Sequence, residues 1–197
     1  MSVCCILKTA LPPCLIHGVH IDHHALESFV TLEMCLWFER AIAERDVRYM
    51  QIIPYVVMTD PDGRLVCYQR HGAEKRLVGF WSCGIGGHLE SSDKGITLHE
   101  TIMNGLKREI EEELKGFSPN LSAFAYRGII TEDSSPVGLC HLGCVYHYTL
   151  SSKELPLIPG DELSDMHMES PVSFLRNKHE YWSELAIKTV QEGCDEE

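Results

Sequence analysis

Arg108-Glu109-Ile110-Glu111-Glu112-Glu113 sets four carboxylates beside one arginine within about a turn and a half of helix. Like charges three and four residues apart repel by about 0.2–0.5 kcal/mol per pair. The cluster also falls at the C-terminal end of its helix, where the macrodipole already disfavours anions. Such a segment calls for a cation. At about 100° per residue, Glu109, Glu112 and Glu113 share one narrow arc, while Glu111 points the opposite way. Ile102, Met103, Leu106, Ile110 and Leu114 make an apolar stripe beside that arc, so the three carboxylates stand at the edge of a core. Gly105 lies on the same side and leaves room near them. Oxygen ligands at the rim of a cavity suit a hard divalent ion such as Mg²⁺, which keeps several waters and also binds substrate phosphates. The competing reading is a solvated acidic helix face, and the convergence and self-repulsion together count against it.

Extended upstream to Gly87, the segment resembles the Nudix hydrolase signature, G-x5-E-x7-R-E-U-x-E-E-x-G-U with U aliphatic. Glu100 is followed by seven residues and then by Arg108 to Glu113, and Gly86-Gly87-His88-Leu89-Glu90 resembles the glycine-rich opening, preceded by Phe80-Trp81. Two departures stand out. Twelve residues rather than five separate Gly87 from Glu100, which reads as a seven-residue insertion over residues 91–97. The closing glycine falls on Lys115, with Gly116 one position late. Glu100 also completes a capping box, Thr97-Leu98-His99-Glu100, in which it bonds back to the cap amide; the two roles are compatible. The inserted loop, rich in Ser, Asp and Gly, is expected to form part of a mobile lid or substrate rim.

The resemblance implies an α+β fold, a Nudix-like α/β/α sandwich with a mixed β-sheet over roughly residues 50–192. The chain then divides into an N-terminal helical extension, 1–48, and a Nudix domain, 49–197. It further implies a Mg²⁺-dependent hydrolase, with Mn²⁺ as the alternative ion, cleaving a diphosphate linkage in a nucleoside diphosphate-linked or related compound. Glu109, Glu112 and Glu113 would hold metal, and Arg108 would orient the carboxylates through bidentate hydrogen bonds. The proton acceptor would be Glu112 or a residue of the 151–170 loop, with Glu162, Asp165 and Glu169 as candidates. Gly86, Gly87, His88 and Arg70 are candidate substrate contacts; Arg70, Lys75 and Arg76 could equally be solvated hairpin residues. Two other functions share this fold. Trp81-Ser82-Cys83-Gly84-Ile85-Gly86-Gly87-His88 faintly resembles the corresponding segment of isopentenyl diphosphate isomerase, although Gly86 stands where that enzyme has its cysteine. A non-catalytic nucleotide sensor is the third reading, and the loss of ligands that would mark it is absent. His141 and His147 share a strand face and read as packed or surface side chains.

At 197 residues the chain can bury one sizeable core. Its formal charge of −12 argues against a nucleic-acid surface, and no dense basic run offsets it. The nine cysteines are scattered with no CxxC pair and read as reduced thiols of a cytoplasmic protein. A signal peptide is not expected, because the apolar start lacks a basic flank and is broken by Lys8, Pro12 and Pro13. Nor does any run approach the roughly 20 apolar residues of a membrane span.

Residues 1–24 read as irregular; His17, His20, His23 and His24 there are conceivable ligands of a zinc or nickel ion, against which stands the lack of any Cys/His spacing of an established structural site. Residues 25–45 read as an amphipathic helix over Leu26, Phe29, Val30, Trp37 and Ala41, packing on the main domain or on a second copy in a homodimer. Strands are expected at Ile52–Met58 and Arg64–Arg70 around the Asp60-Pro61-Asp62-Gly63 turn, then at Leu77–Ile85, Ala123–Ile130 and Leu139–Leu150. Residues 151–170 read as a polar loop and Tyr181–Gln191 as a closing helix.

Overall fold

The computed structural model describes residues 1–70 and 79–192. Its elements in chain order are β1 (Ser2–Leu7), β2 (His20–Asp22), β3 (Leu36–Glu39), α1 (Arg40–Ala43), β4 (Tyr49–Thr59), β5 (Leu65–Arg70), β6 (Trp81–Ser82), β7 (Gly84–Gly86), α2 (Leu98–Glu113), β8 (Ala125–Thr131), β9 (His141–Thr149), β10 (Leu163–Glu169), α3 (Pro171–Phe174) and α4 (Tyr181–Glu192).

β4 is the axis of the sheet, and its sequence explains why. Every residue from Met50 to Thr59 is buried, which is the pattern of a strand covered on both faces. Along one edge β4 runs parallel to β9, from Gln51 opposite His141 to Thr59 opposite Thr149. Along the other edge it pairs antiparallel with β1, then β7, then β5. The strand order is β10-β5-β4-β9-β8-β2. Alternation sends Ile52, Val56 and Met58 to one face with Leu98, Ile102, Leu106 and Ile110 of α2. Ile53, Tyr55 and Val57 go to the other face with Trp182, Leu185, Ala186 and Val190 of α4. The result is the expected α/β/α sandwich on a mixed sheet.

Two expectations are corrected. Residues 25–45 hold no long helix. They form 3₁₀ turns at Leu26–Ser28 and Leu32–Met34, then β3 and the one-turn α1; the apolar residues at helical spacing serve turns that still bury Leu26 and Val30. Within the N-terminal residues, β1 joins the central sheet through β4 and its Cys4 N–H donates to the Leu89 carbonyl. Finally, the 151–170 segment contains β10, antiparallel to β5 with a bulge between Ser164 and His167. That irregular register and its polar residues hid the strand's period-2 signal. Lys75, Arg76 and the start of the expected Leu77–Ile85 strand lie outside the described residues.

Candidate active site

Thr97 caps α2 by accepting a hydrogen bond from the Glu100 N–H, and the helix runs from Leu98 to Glu113. Leu98, Ile102, Met103, Leu106 and Ile110 are buried, so the face carrying Glu109 and Glu112 is set by the packing of the stripe beside it. Glu111 faces elsewhere and accepts from Ser118 Oγ at 2.8 Å. The helix end is strapped down. Gly160 N–H donates to the Glu113 carbonyl at 2.7 Å, and Lys115 N–H donates to the Ile158 carbonyl at 2.9 Å. A Cβ on Gly160 would come within 3.0 Å of that backbone, so a glycine lets this strap lie close enough to satisfy a carbonyl the helix leaves without an internal partner.

Arg108 is the hub. Its Nε donates to Asp93 Oδ1 and its Nη2 to Asp93 Oδ2, both at 2.9 Å. Nη2 also donates to the His88 carbonyl at 2.8 Å, while Nη1 donates to Glu109 at 2.8 Å and to Glu112 at 3.2 Å. A guanidinium has five N–H donors in a fixed fork, and all five are used. Arg108 therefore fixes the glycine loop and two glutamates at once, which a lysine with three donors on a flexible stem could not do.

Asp93 is the residue that sequence reasoning missed. It lies in the 3₁₀ turn Ser91–Asp93 and is buried; besides Arg108 it accepts from the Glu90 N–H at 2.8 Å. Five residues separate it from Gly87, which is the spacing the Nudix motif gives its first glutamate. The shorter acid thus occupies that position, and the extra residues follow it rather than precede it. Glu100 accepts from the Ile96 N–H at 2.7 Å, one residue before the Thr97 cap and not from the cap amide itself, so its side chain serves the helix start. The 91–97 loop is tied to α2 at Asp93 and at Gly95. Asp93 anchors its start, and Gly95 N–H donates to Thr101 Oγ1 at 3.0 Å. Gly105 makes its room for Leu89 and Asp93 rather than for the glutamates.

The Glu109 carboxyl is displaced well above its ordinary range. Burial, with the Glu112 and Glu113 charges, outweighs the downward pull of Arg108 and leaves it at about 7. The glycine loop presses on it, for a Cβ at Gly87 would run into its carboxylate and a Cβ at Gly86 into the Pro54 carbonyl. Glu112 is open, with 60% of its side chain exposed against 14% for Glu109. The donor set here is oxygen only, and Glu109 is held partly dehydrated with the Glu112 and Glu113 charges near enough to raise it, a chemistry that fits a hard divalent cation.

His88 contributes its carbonyl, but its imidazole turns to His141, with the two Nε2 atoms 3.1 Å apart. His141 Nδ1 lies 2.6 Å from the Val137 carbonyl, so it carries the proton there and accepts from His88 at Nε2. Burial, followed by His141, Arg40 and Arg108, lowers His88 to about 3, which keeps its imidazole neutral. Of the candidate bases, Glu169 is occupied by Ser173 and Asn177, and Asp165 adopts a left-handed φ of 51° on β10. Glu162 follows the Gly160 strap by two residues. Arg70 closes β5 opposite Leu163. Cys83 is buried, and burial holds its thiol well above the ordinary range.

A sheet wrapped by two helices, with an arginine-centred acidic helix end against a glycine loop, defines the Nudix fold. Tm1382, described as a candidate Nudix hydrolase, superposes with a TM-score of 0.71 over 96% of this chain and 98% of its own, at 21% identity. The NUDIX domain of Shewanella oneidensis NrtR, crystallised with ADP ribose, matches 73% of this chain and 87% of its own with a TM-score of 0.56 at 14% identity. A bifunctional NMN adenylyltransferase/ADP ribose pyrophosphatase from Francisella tularensis, crystallised with AMP and a Mn ion, matches 74% of this chain and 42% of its own with a TM-score of 0.54 at 18% identity. No protein-family model matches. The sequence itself is 30% identical over 165 residues to Protein YmaB of Bacillus subtilis, covering 77% of this chain and 76% of that protein. The chain belongs to the family of YmaB, within the Nudix fold.

Proposed function

We propose that this protein is a divalent-metal-dependent hydrolase that cleaves a diphosphate linkage in a nucleoside diphosphate-linked compound. The observation that carries the reading is the saturated Arg108 guanidinium, which holds Glu109 and Glu112 side by side against the glycine loop. Glu109, Glu112 and Glu113 would hold Mg²⁺, or Mn²⁺ in its place. Bound there, the ion would neutralise phosphoryl oxygens and acidify the attacking water, and it would offset the repulsion between an anionic substrate and a chain of net charge −12.

The protein's own groups do the rest. Arg108 spends every donor on Asp93, His88, Glu109 and Glu112, so it orients carboxylates and leaves phosphate recognition to others. Glu112, the most open acid, takes the proton from the attacking water, with Glu162 as the alternative acceptor. Gly86 and Gly87 bring backbone close to the substrate. The ADP ribose of NrtR and the ADP ribose pyrophosphatase unit of the Francisella protein favour a nucleoside diphosphate sugar as the substrate class. An isomerase would require an accessible thiol, and the burial of Cys83 counts against it.

The test is turnover across ADP ribose, other nucleotide sugars, dinucleotides, nucleoside triphosphates and isoprenyl diphosphates, with Mg²⁺, with Mn²⁺ and with chelator. Hydrolysis of a dinucleotide-like or sugar-linked diphosphate, abolished by chelator, is expected. Tight metal-dependent binding with no turnover of any compound would make the protein a sensor instead.

A further inference from the structure

His20 and Asp22 sit two residues apart on the short edge strand β2, and so point to the same face. The Pro13–Leu15 turn brings Cys14 to that face. One ligand atom from each of the three lies within 4.8 Å of the others. We propose that Cys14, His20 and Asp22 form a second metal centre, selective for a borderline ion of the zinc class and separate from the glutamate cluster.

Distances support the assignment. His20 Nε2 is 3.5 Å from Asp22 Oδ2, and two ligands bonded at about 2.0–2.2 Å in a tetrahedron stand roughly 3.3–3.6 Å apart. His20 Nε2 is also shielded from solvent, and the Asp22 oxygen at 3.5 Å is the polar group that faces it, at the outer edge of hydrogen-bond distance. A cation between the two would be bonded by both at the spacing they already have. The other oxygen of Asp22 is already oriented, lying 2.8 Å from His24 Nδ1 and accepting from the His24 N–H at 2.8 Å. Ligating carboxylates characteristically carry such outer partners. Cys14 is the exposed member of the eight described free cysteines, the others being buried, so its thiol is the one a solvent ion can reach.

The donor set decides the ion. A thiolate with an imidazole and a single carboxylate oxygen disfavours Mg²⁺ and Ca²⁺ and suits Zn²⁺. Three protein ligands leave one position for water. The ion would fasten the Pro13–Leu15 turn to β2, a strand of three residues that pairs with β8.

Cobalt reports this site because thiolate ligation gives Co²⁺ a near-ultraviolet charge-transfer band, and a tetrahedral site gives strong visible bands. The full chain, loaded with Co²⁺ and desalted, is expected to show both, and Zn²⁺ should abolish them by displacement. Cys14→Ser should lose the charge-transfer band. His20→Ala or Asp22→Asn should weaken binding at least tenfold, since even an outer-shell partner is worth about 10–100-fold in affinity. Glu112→Gln should keep both bands. Absence of the charge-transfer band in the wild-type chain, or its survival in folded Cys14→Ser, would overturn the assignment.

Discussion

Arg108 and Asp93 meet through two parallel hydrogen bonds of 2.9 Å across fifteen residues of sequence. That pair joins the glycine loop to the acidic helix. Asp93→Ala would leave Arg108, whose side chain is 21% exposed, without its main partner. A loss of about 3 kcal/mol is expected, the lower end for breaking a buried pair because Glu109, Glu112 and the His88 carbonyl remain. Glu100→Ala should cost about 1 kcal/mol or less, as a cap does. Urea unfolding of both variants checks the order, and a larger loss at Glu100 would return the motif's first acid to that position.

Gly87→Ala should act on chemistry rather than on folding. The new methyl would displace the Glu109 carboxylate, and a shift of that size in a positioning group costs about 10²-fold in rate. Steady-state kinetics beside a thermal melt separates the two effects. Unchanged kcat would mean the loop does not set the position of Glu109.

Glu109 gives the fold a pH signature. Its carboxyl rises from 4.5 to about 7, mainly through burial. Between those values the unfolded chain has lost the proton and the folded chain has kept it, so this group's contribution makes stability fall as pH rises, with the penalty complete above about 7. In chelator, Tm measured from pH 5 to 8 should therefore decline more steeply for the wild type than for Glu109→Gln. Added Mg²⁺ should raise Tm more at pH 8 than at pH 5.5, because the ion competes with the proton. Parallel curves for the two proteins would show that Glu109 keeps an ordinary affinity for its proton.

The strands of the core were legible because their periodicity and turn residues agree, as at Ile52–Met58 and Asp60-Pro61-Asp62-Gly63. The acidic helix was legible for the same reason, since one arc carries the glutamates and the next the core. Asp93 was missed although Gly87-x5-Asp93 was visible, because a capping glutamate at the right distance before Arg108 competed for the position. The extension misled for a different reason: Leu26, Phe29 and Val30 have helical spacing, yet 3₁₀ turns bury the same residues. The meeting of Cys14 with His20 could not be read at all, since it depends on where a turn folds against an edge strand.

The most direct test of the proposed hydrolase is turnover in H₂¹⁸O for the wild type and Glu112→Gln, with ADP ribose and Mg²⁺. Glu112 is largely exposed, so the variant should melt like the wild type. The account predicts ¹⁸O in one product phosphate of the wild-type reaction, and turnover lower by about 10²–10⁴-fold in the variant, the scale of a lost acid or base. Full activity in folded Glu112→Gln, or products formed without solvent oxygen, would contradict it.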